Sequence, residues 1–352
     1  MQKNNFNNKN YLITPKELKN KLPISQKIKK QVLISRKIIS NIILGKDFRI
    51  LIICGPCSIH NIKEALEYGK YLKKIFSKIN KNIYLIMRVY FEKPRTILGW
   101  KGLINDPYMD NTFNINEGLY LARKLLIQLV ENNILLATEI LDPNTSKYFD
   151  DLLSWIAIGA RTVESQIHRE IASLLQIPVG FKNNTDGNIF SAINAIQTSS
   201  QEHNFISLDE NGKICIVKST GNKNCHLILR GGKKPNYYKN NIIECEKFLL
   251  NVGLKSKIMI DCSHGNSNKD FKKQILVIES IISQIKEGNT SIMGIMIESY
   301  IHEGNQILNI NNSKKLKYGV SITDECINLQ TTQDILYKIN HELDSILKLR
   351  LL

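Results

Sequence analysis

The chain of 352 residues is long enough for one large domain or two ordinary ones, and its 43% hydrophobic content supplies a core. A net charge of +16 comes mostly from lysines spread among abundant Ile and Asn, with no basic block, recognition helix or aromatic RNA-binding motif. That dispersal argues against a nucleic-acid partner, and no stretch nears the ~18 uninterrupted apolar residues of a membrane span. The polar start "MQKNNFNNKN" reads as lacking a secretory leader. Seven cysteines in no tight framework fit reduced thiols, so a soluble cytoplasmic protein is expected.

In chain order, residues 1–45 stand apart as a polar, partly helical extension ending at Gly45. From 46 to 352, short apolar runs alternate with amphipathic segments. Strands are predicted at 49–56, 83–90, 134–140, 156–161, 178–182, 226–230, 257–262 and 292–298. Helices are predicted at 62–79, 115–132, 144–155, 165–176, 188–200, 240–252, 270–287 and 329–349, where apolar residues recur at i, i+3, i+4. "FISLDENGKICIVKST", 205–220, reads as a β-hairpin inserted before the sixth strand. Continuous apolar strands, each followed by a helix, predict a (β/α)8 TIM barrel with a parallel sheet buried on both faces. A doubly wound sheet is the competitor, but "GPCSIH" after the first strand is not a G-x-G-x-x-G turn.

Barrel active sites lie at the C-terminal ends of the strands. Reading that edge gives Cys57 after strand one, Arg88 with Lys93, Arg95 and Thr96 after strand two, and Glu139 after strand three. Arg161, Lys182 and Arg230 follow strands four to six, Asp261 and His264 strand seven, and Glu298 strand eight. A lone Arg at a strand end is ordinarily solvated, but a run of them in one mouth calls for a ligand with several negative charges. Phosphate plus carboxylate fits. Cys57, His264 and Glu298, joined by Asp324 of "SITD", offer S, N and O donors for a divalent metal with an open position. Taken singly, each has a blander reading: a packed thiol or a turn-capping imidazole. Cys54 and Cys57 look like a C-x-x-C pair, yet residues three apart on a strand point to opposite sides. Cys54 is expected to be packed and Cys57 to enter the mouth alone.

The motifs "GPCSIH" (55–60), "MRVYFEKPRT" (87–96), "GARTVESQIHRE" (159–170), "PVGFKN" (178–183), "LRGGKKPNY" (229–237), "DCSHGNSNK" (261–269), "IESYIHEGNQ" (297–306) and "YGVSITDEC" (318–326) run in order along nearly the whole chain. They resemble the class I 3-deoxy-D-arabino-heptulosonate 7-phosphate (DAHP) synthases of the bacterial, amino-acid-inhibited type, leaning to the tyrosine-sensitive branch. The resemblance implies condensation of phosphoenolpyruvate, erythrose 4-phosphate and water to DAHP and phosphate, the first step of the shikimate pathway. Metal ligands then fall on Cys57, His264, Glu298 and Asp324, for one Mn, Fe, Co or Zn ion per subunit. Phosphoenolpyruvate falls on Arg88, Lys93, Arg161, Lys182 and Arg230, with Glu139 nearby, and the sugar phosphate on Arg95 and Thr96. Lys93, Lys182, Cys57 and His264 carry catalysis, with proton handling left open between Lys182 and a water. The resemblance also implies a homodimer or homotetramer, with 1–45 as an interface and regulatory arm, and inhibition by an aromatic amino acid. Ser146 stands where relatives usually carry Pro, beside the inhibitor pocket, and Ile97 replaces a common Thr. Cys326 sits close to Asp324, so a Cys57–Cys326 disulfide is expected when metal is lost. An octulosonate phosphate synthase would lack the "KPRT" context, and a degenerate binding protein would not keep the full set of cations and ligands.

Overall fold

The computed structural model describes residues 10–95, 99–309 and 315–351. Helices α1 (Pro15–Lys21) and α2 (Gln26–Leu44) come first. A reciprocal capping box between Thr14 and Glu17 starts α1; Ser25 caps α2, and Gly45, at φ +74°, ends it in the left-handed conformation that glycine tolerates. The first five barrel strands follow with their helices: β1 (Ile50–Gly55), α3 (Ile62–Ile79), β2 (Ile83–Arg88), α4 (Ile115–Glu131), β3 (Leu136–Glu139), α5 (Ser146–Phe149), β4 (Trp155–Ile158), α6 (Gln166–Leu174), β5 (Val179–Lys182) and α7 (Phe190–Ser199). An antiparallel hairpin, β6 (Asn204–Leu208) and β7 (Ile214–Lys218), is inserted where the sequence places it. The chain then completes the ring with β8 (Cys225–Leu229), α8 (Lys239–Asn251), β9 (Ile258–Asp261), α9 (Gln274–Lys286) and β10 (Ile292–Glu298), ending in α10 (Leu329–Glu342) and α11 (Asp344–Leu347).

The parallel strands form a closed barrel in the order β1-β2-β3-β4-β5-β8-β9-β10. β10 pairs back onto β1, with Gly55 opposite Glu298. Alternation along each strand sorts side chains into two apolar groups. Ile50, Ile52 and Cys54 join the cluster under the outer helices, and the Cys54 thiol lies 3.3 Å from the Tyr68 hydroxyl on α3. Leu51, Ile53, Tyr84, Ile86, Trp155, Ile228 and Met259 fill the lumen. Ile39, Ile42 and Ile43 of α2 belong to this lumen cluster and are almost fully buried, so α2 packs onto the barrel core. Each such side chain contributes on the order of 1.5–3 kcal/mol.

Two predicted helices differ from the structure. The segment 144–155 is helical only over Ser146–Phe149. Arg123 grips Asp151 through two 2.8 Å contacts, while Arg36 donates to the backbone carbonyls of Asp150 and Leu153. Those long-range arginines draw the chain out of the helix and into β4. The last helix breaks at Leu343 (φ −107°, ψ 1°) and continues as the short α11. Among the described residues no helix is long and apolar enough to cross a membrane.

Candidate active site

The lumen rows end in charge. Tyr84 and Ile86 are followed two residues on by Arg88, Ala137 by Glu139, Ile228 by Arg230, Met259 by Asp261 and Met296 by Glu298. The period-two rule that packs the barrel floor therefore aims these groups into its mouth. A cavity of about 150 Å³ at that end is lined by Arg88, Lys93, Arg95, Glu139, Arg161, Lys182, Arg230, His264 and Asp324, all nine read from the sequence. Thr96 lies outside the described residues.

Cys57 and Glu298 sit below the cavity, both fully buried. The Cys57 sulfur and carboxylate oxygens of Glu298 and Asp324 lie within 4.8 Å of one another. His264 Nε2 is 3.9 Å from Glu298 and 4.0 Å from Asp324. Cys57, Glu298 and Asp324 thus form the tight S/O/O group, and His264 adds its nitrogen from the side of the two carboxylates, giving the S, N and O ligand types that a divalent ion takes. His264 reaches this place through a strained backbone, at φ +55°. Its Nδ1 lies 3.0 Å from Asp261 Oδ2, which leaves Nε2 facing the carboxylates.

Glu298 is held on every side. Arg88 donates to Oε1 at 2.8 Å and the Ser263 hydroxyl to Oε2 at 2.8 Å; the Gln274 amide bonds both the backbone N–H and C=O, each at 3.0 Å. Burial works to raise the Glu298 carboxyl, but Arg88, aided by His264 and Lys93, overrides it and holds the group down at about 2. Burial and the Glu298 charge push the Cys57 thiol up to about 11, against the pull of Lys93, whose ammonium is 3.1 Å from the sulfur. In the absence of a metal cation Cys57 is therefore a thiol, and a bound dication is what would ionise it.

The cations divide by partner. Arg88 is fully buried, pairs with Glu298 and stacks 3.6 Å above the Tyr90 ring. Lys182 pairs with Asp261 at 3.0 Å. Arg95, Arg161 and Arg230 line the same cavity without a carboxylate in ion-pair reach among the described residues. Burial, with the nearby Arg161 adding to it, lowers the Arg230 guanidinium. Such a set is stable only with anions between its members. Glu139 is accommodated because Gly159 faces it: any Cβ there would collide with Glu139 Oε1. Asp261, Ser263 and Gln274 support the site in ways the sequence reading did not assign, and Lys269, Thr185 and Thr323 also line the cavity.

A family profile described as the DAHP synthetase I family matches residues 21–337. The chain belongs to this family. The Tyr-sensitive phospho-2-dehydro-3-deoxyheptonate aldolase of Escherichia coli strain K12 is 51% identical over 99% of both chains. The Phe-sensitive protein of the same strain is 47% identical over 93% of each chain, and the Trp-sensitive one 45% over 95% of each. A solved structure of phospho-2-dehydro-3-deoxyheptonate aldolase from Francisella tularensis SCHU S4 superposes with a TM-score of 0.93 at 46% identity, covering 97% of this chain and 99% of that one. As a DAHP synthetase I family member the chain is an enzyme of the 3-deoxy-7-phosphoheptulonate synthase class, with the Tyr-sensitive lean that its motifs indicated.

A second, larger cavity of about 600 Å³ lies on the flank of the barrel, between α2, α5, α6 and the hairpin. Ser146 lines it and is buried, with its hydroxyl donating to the Pro143 carbonyl. Apolar walls come from Val32, Leu33, Ile171 and Leu174, and charge from Lys29, Arg36, Lys147 and Asp150.

Proposed function

We propose that the chain condenses phosphoenolpyruvate with erythrose 4-phosphate and water to give DAHP and inorganic phosphate, using a divalent metal. The observation that carries this reading is one cavity in which carboxylate-free arginines stand over an S/N/O donor cluster. Cys57, His264, Glu298 and Asp324 would hold the ion, which when bound supplies Lewis-acid polarisation of the sugar aldehyde.

The chain's own groups do the rest. Arg161, Arg230 and Lys182 bind the phosphate and carboxylate of phosphoenolpyruvate, and Arg88 and Lys93 fix its orientation, so that C3 faces the aldehyde carbon. Arg95, with Thr96, binds the phosphate of the four-carbon sugar. C3 bonds to the aldehyde carbon, water adds at C2, and phosphate then departs with C–O cleavage. Lys182 is buried against Asp261 at 3.0 Å and is positioned to hold or release a proton at the enol substrate. The test is phosphate release from phosphoenolpyruvate that requires erythrose 4-phosphate and stops with a chelator. Cys57→Ala and His264→Ala should abolish turnover while the circular dichroism spectrum is kept; near-normal activity in either would remove the metal assignment. Release of no phosphate with any aldose phosphate would favour a non-catalytic protein.

The flanking cavity is the proposed site of an aromatic amino-acid inhibitor. Its apolar walls suit a ring, and its mixed charges suit an ammonium and a carboxylate. Residues 1–45 fit a dual role, since α2 lines that cavity while Lys19 of α1 bridges Asp150 and Glu210 of the hairpin turn at 2.8 and 3.2 Å. The hairpin exposes Ile206, Ile214 and Ile216 at 77–81%, an apolar face suited to a second copy of the chain in a dimer or tetramer.

A further inference from the structure

Arg88 and Lys182 are each aimed by a carboxylate, from Glu298 and Asp261, but Arg230 is not. Among the described residues its guanidinium has no carboxylate in ion-pair reach, and its side chain donates to the carbonyl of its own neighbour, Gly231, at 3.3 Å. Where Arg230 points therefore depends on how its backbone is held. The groups that hold it are asparagines, which the proposed chemistry does not use.

Asn183 directly follows Lys182 and is fully buried. Its Oδ1 accepts the Arg230 N–H at 2.8 Å and a side-chain N–H of Asn236 at 3.2 Å. Its Nδ2 donates to the carbonyls of Asn184 and Gly231, at 2.8 and 3.0 Å. Both donors and both acceptor sites of the amide are thus in use. The backbone fixes which way round the amide lies, because the Arg230 N–H can meet only its oxygen and the Gly231 carbonyl only its nitrogen. Asn236 Oδ1 accepts the Gly231 N–H at 2.8 Å, and the Asn236 N–H donates to Asn266 Oδ1 at 2.8 Å. Asn266, also buried, donates to the carbonyls of Leu229 and Asp261 at 3.1 and 2.9 Å. The Gly265 N–H, beside His264, donates to the Arg230 carbonyl at 3.0 Å. The N–H of Arg230 is therefore held by the loop after β5 and its carbonyl by the loop after β9. Glycines let these loops touch: a Cβ on Gly231 would collide with the backbone of Gly265 and Asn266, and one on Gly232 with that of Asp186 and Gly187.

Taking Arg230 as a phosphoenolpyruvate ligand, as proposed above, we propose that Asn183 and Asn236 are positioning residues that act through it: they lock the Arg230–Gly231 backbone to its neighbouring loops, so that the guanidinium meets the substrate anion beside Lys182. A carboxylate partner would aim Arg230 equally well, but it would also neutralise the charge that draws the anion in. Neutral amides acting on the backbone aim the cation and leave its charge free.

Asn236 is half-buried, so Asn236→Ala removes the acceptor of the Gly231 N–H with the smaller risk to the fold. It should raise KM for phosphoenolpyruvate about tenfold, with kcat and KM for erythrose 4-phosphate within about twofold of the parent. Asn183→Leu keeps the volume and strands the Arg230 N–H, and should raise the same KM at least as much. A thermal melt beside each assay identifies a variant that has simply unfolded. The deciding measurement is a double-variant cycle on phosphoenolpyruvate binding by calorimetry with the Mn-loaded protein. Once Arg230→Ala has removed the guanidinium, Asn236→Ala should weaken binding by less than about twofold. Equal weakening with and without Arg230 would overturn the proposal, because a general loosening of the mouth does not depend on that side chain. Parent-like phosphoenolpyruvate binding in both asparagine variants would overturn it too, and leave the reading of the cavity standing. A parent that binds no phosphoenolpyruvate would remove that reading and the proposal with it.

Discussion

Asp261→Asn tests whether the charge beneath the site does two jobs at once. Asp261 is fully buried, and its Oδ2 is 3.0 Å from both Lys182 Nζ and His264 Nδ1. Burial opposes its charge, but His264 and Lys182 outweigh that and hold the carboxyl well below the usual range. Asparagine preserves the shape and can keep the 3.1 Å bond from the Ser263 amide, but it removes the charge and puts an amide NH2 where Oδ2 faces Lys182 and His264. The Lys182 ammonium, 3% exposed, then stands buried without its partner. Stranding one member of a buried pair costs about 3–5 kcal/mol. In a chain of 352 residues that is a melting-point loss of roughly 4–7 °C by scanning calorimetry. His264 also loses the acceptor that orients its ring, which should weaken metal binding about 10- to 100-fold, measured by chelator competition. A melting point within a degree of the parent, together with unchanged metal affinity, would refute the reasoning on both counts.

Acid should destabilise the fold through His226. Trp155 Nε1 donates to its Nε2 at 3.1 Å, and burial pushes the imidazole down to about 4. The folded state keeps it neutral while the unfolded chain titrates near the ordinary value of about 6.5, so its contribution is complete above pH 6.5 and is lost as pH falls toward 4. The loss is at most roughly 3 kcal/mol. Urea titrations at pH 7 and 4.5 should show it, and His226→Gln should lose less between the two. Air oxidation after chelation should yield a Cys57–Cys326 disulfide by peptide mass spectrometry. Both thiols are fully buried, and the Cys57 charge is among the causes that push the Cys326 thiol up, whereas Cys54 faces Tyr68 on the outer side. A Cys54–Cys57 link would contradict this account of the site.

Much of this arrangement is legible in the sequence. Continuous apolar runs ending in Arg88, Lys182 or Glu298 reveal both the barrel and its mouth, because a parallel barrel has one end where such residues can gather. The Asn211-Gly212 turn likewise marked the hairpin. What stayed hidden depended on partners distant in the chain. The helix at 144–155 has a sound local pattern and is stopped by Arg36 and Arg123, from two other helices. Gln274 opens a helix with nothing local to suggest that it clamps Glu298.

The pairing of β10 with β1 has a consequence for how the enzyme comes into being. Gly55 lies opposite Glu298, and the Ser299 amide donates to the Gly55 carbonyl at 2.9 Å. The first metal-ligand candidate and the last two thus come from opposite ends of the barrel's sequence and meet only across the seam where the ring closes. A chain emerging from the ribosome carries Cys57 for most of its synthesis with no carboxylate beside it. Contacts of such long sequence separation are slow to form. An ion held by these residues, as proposed, would be captured only at the final step of folding, and an incomplete barrel would then give a silent protein instead of a weakly active one.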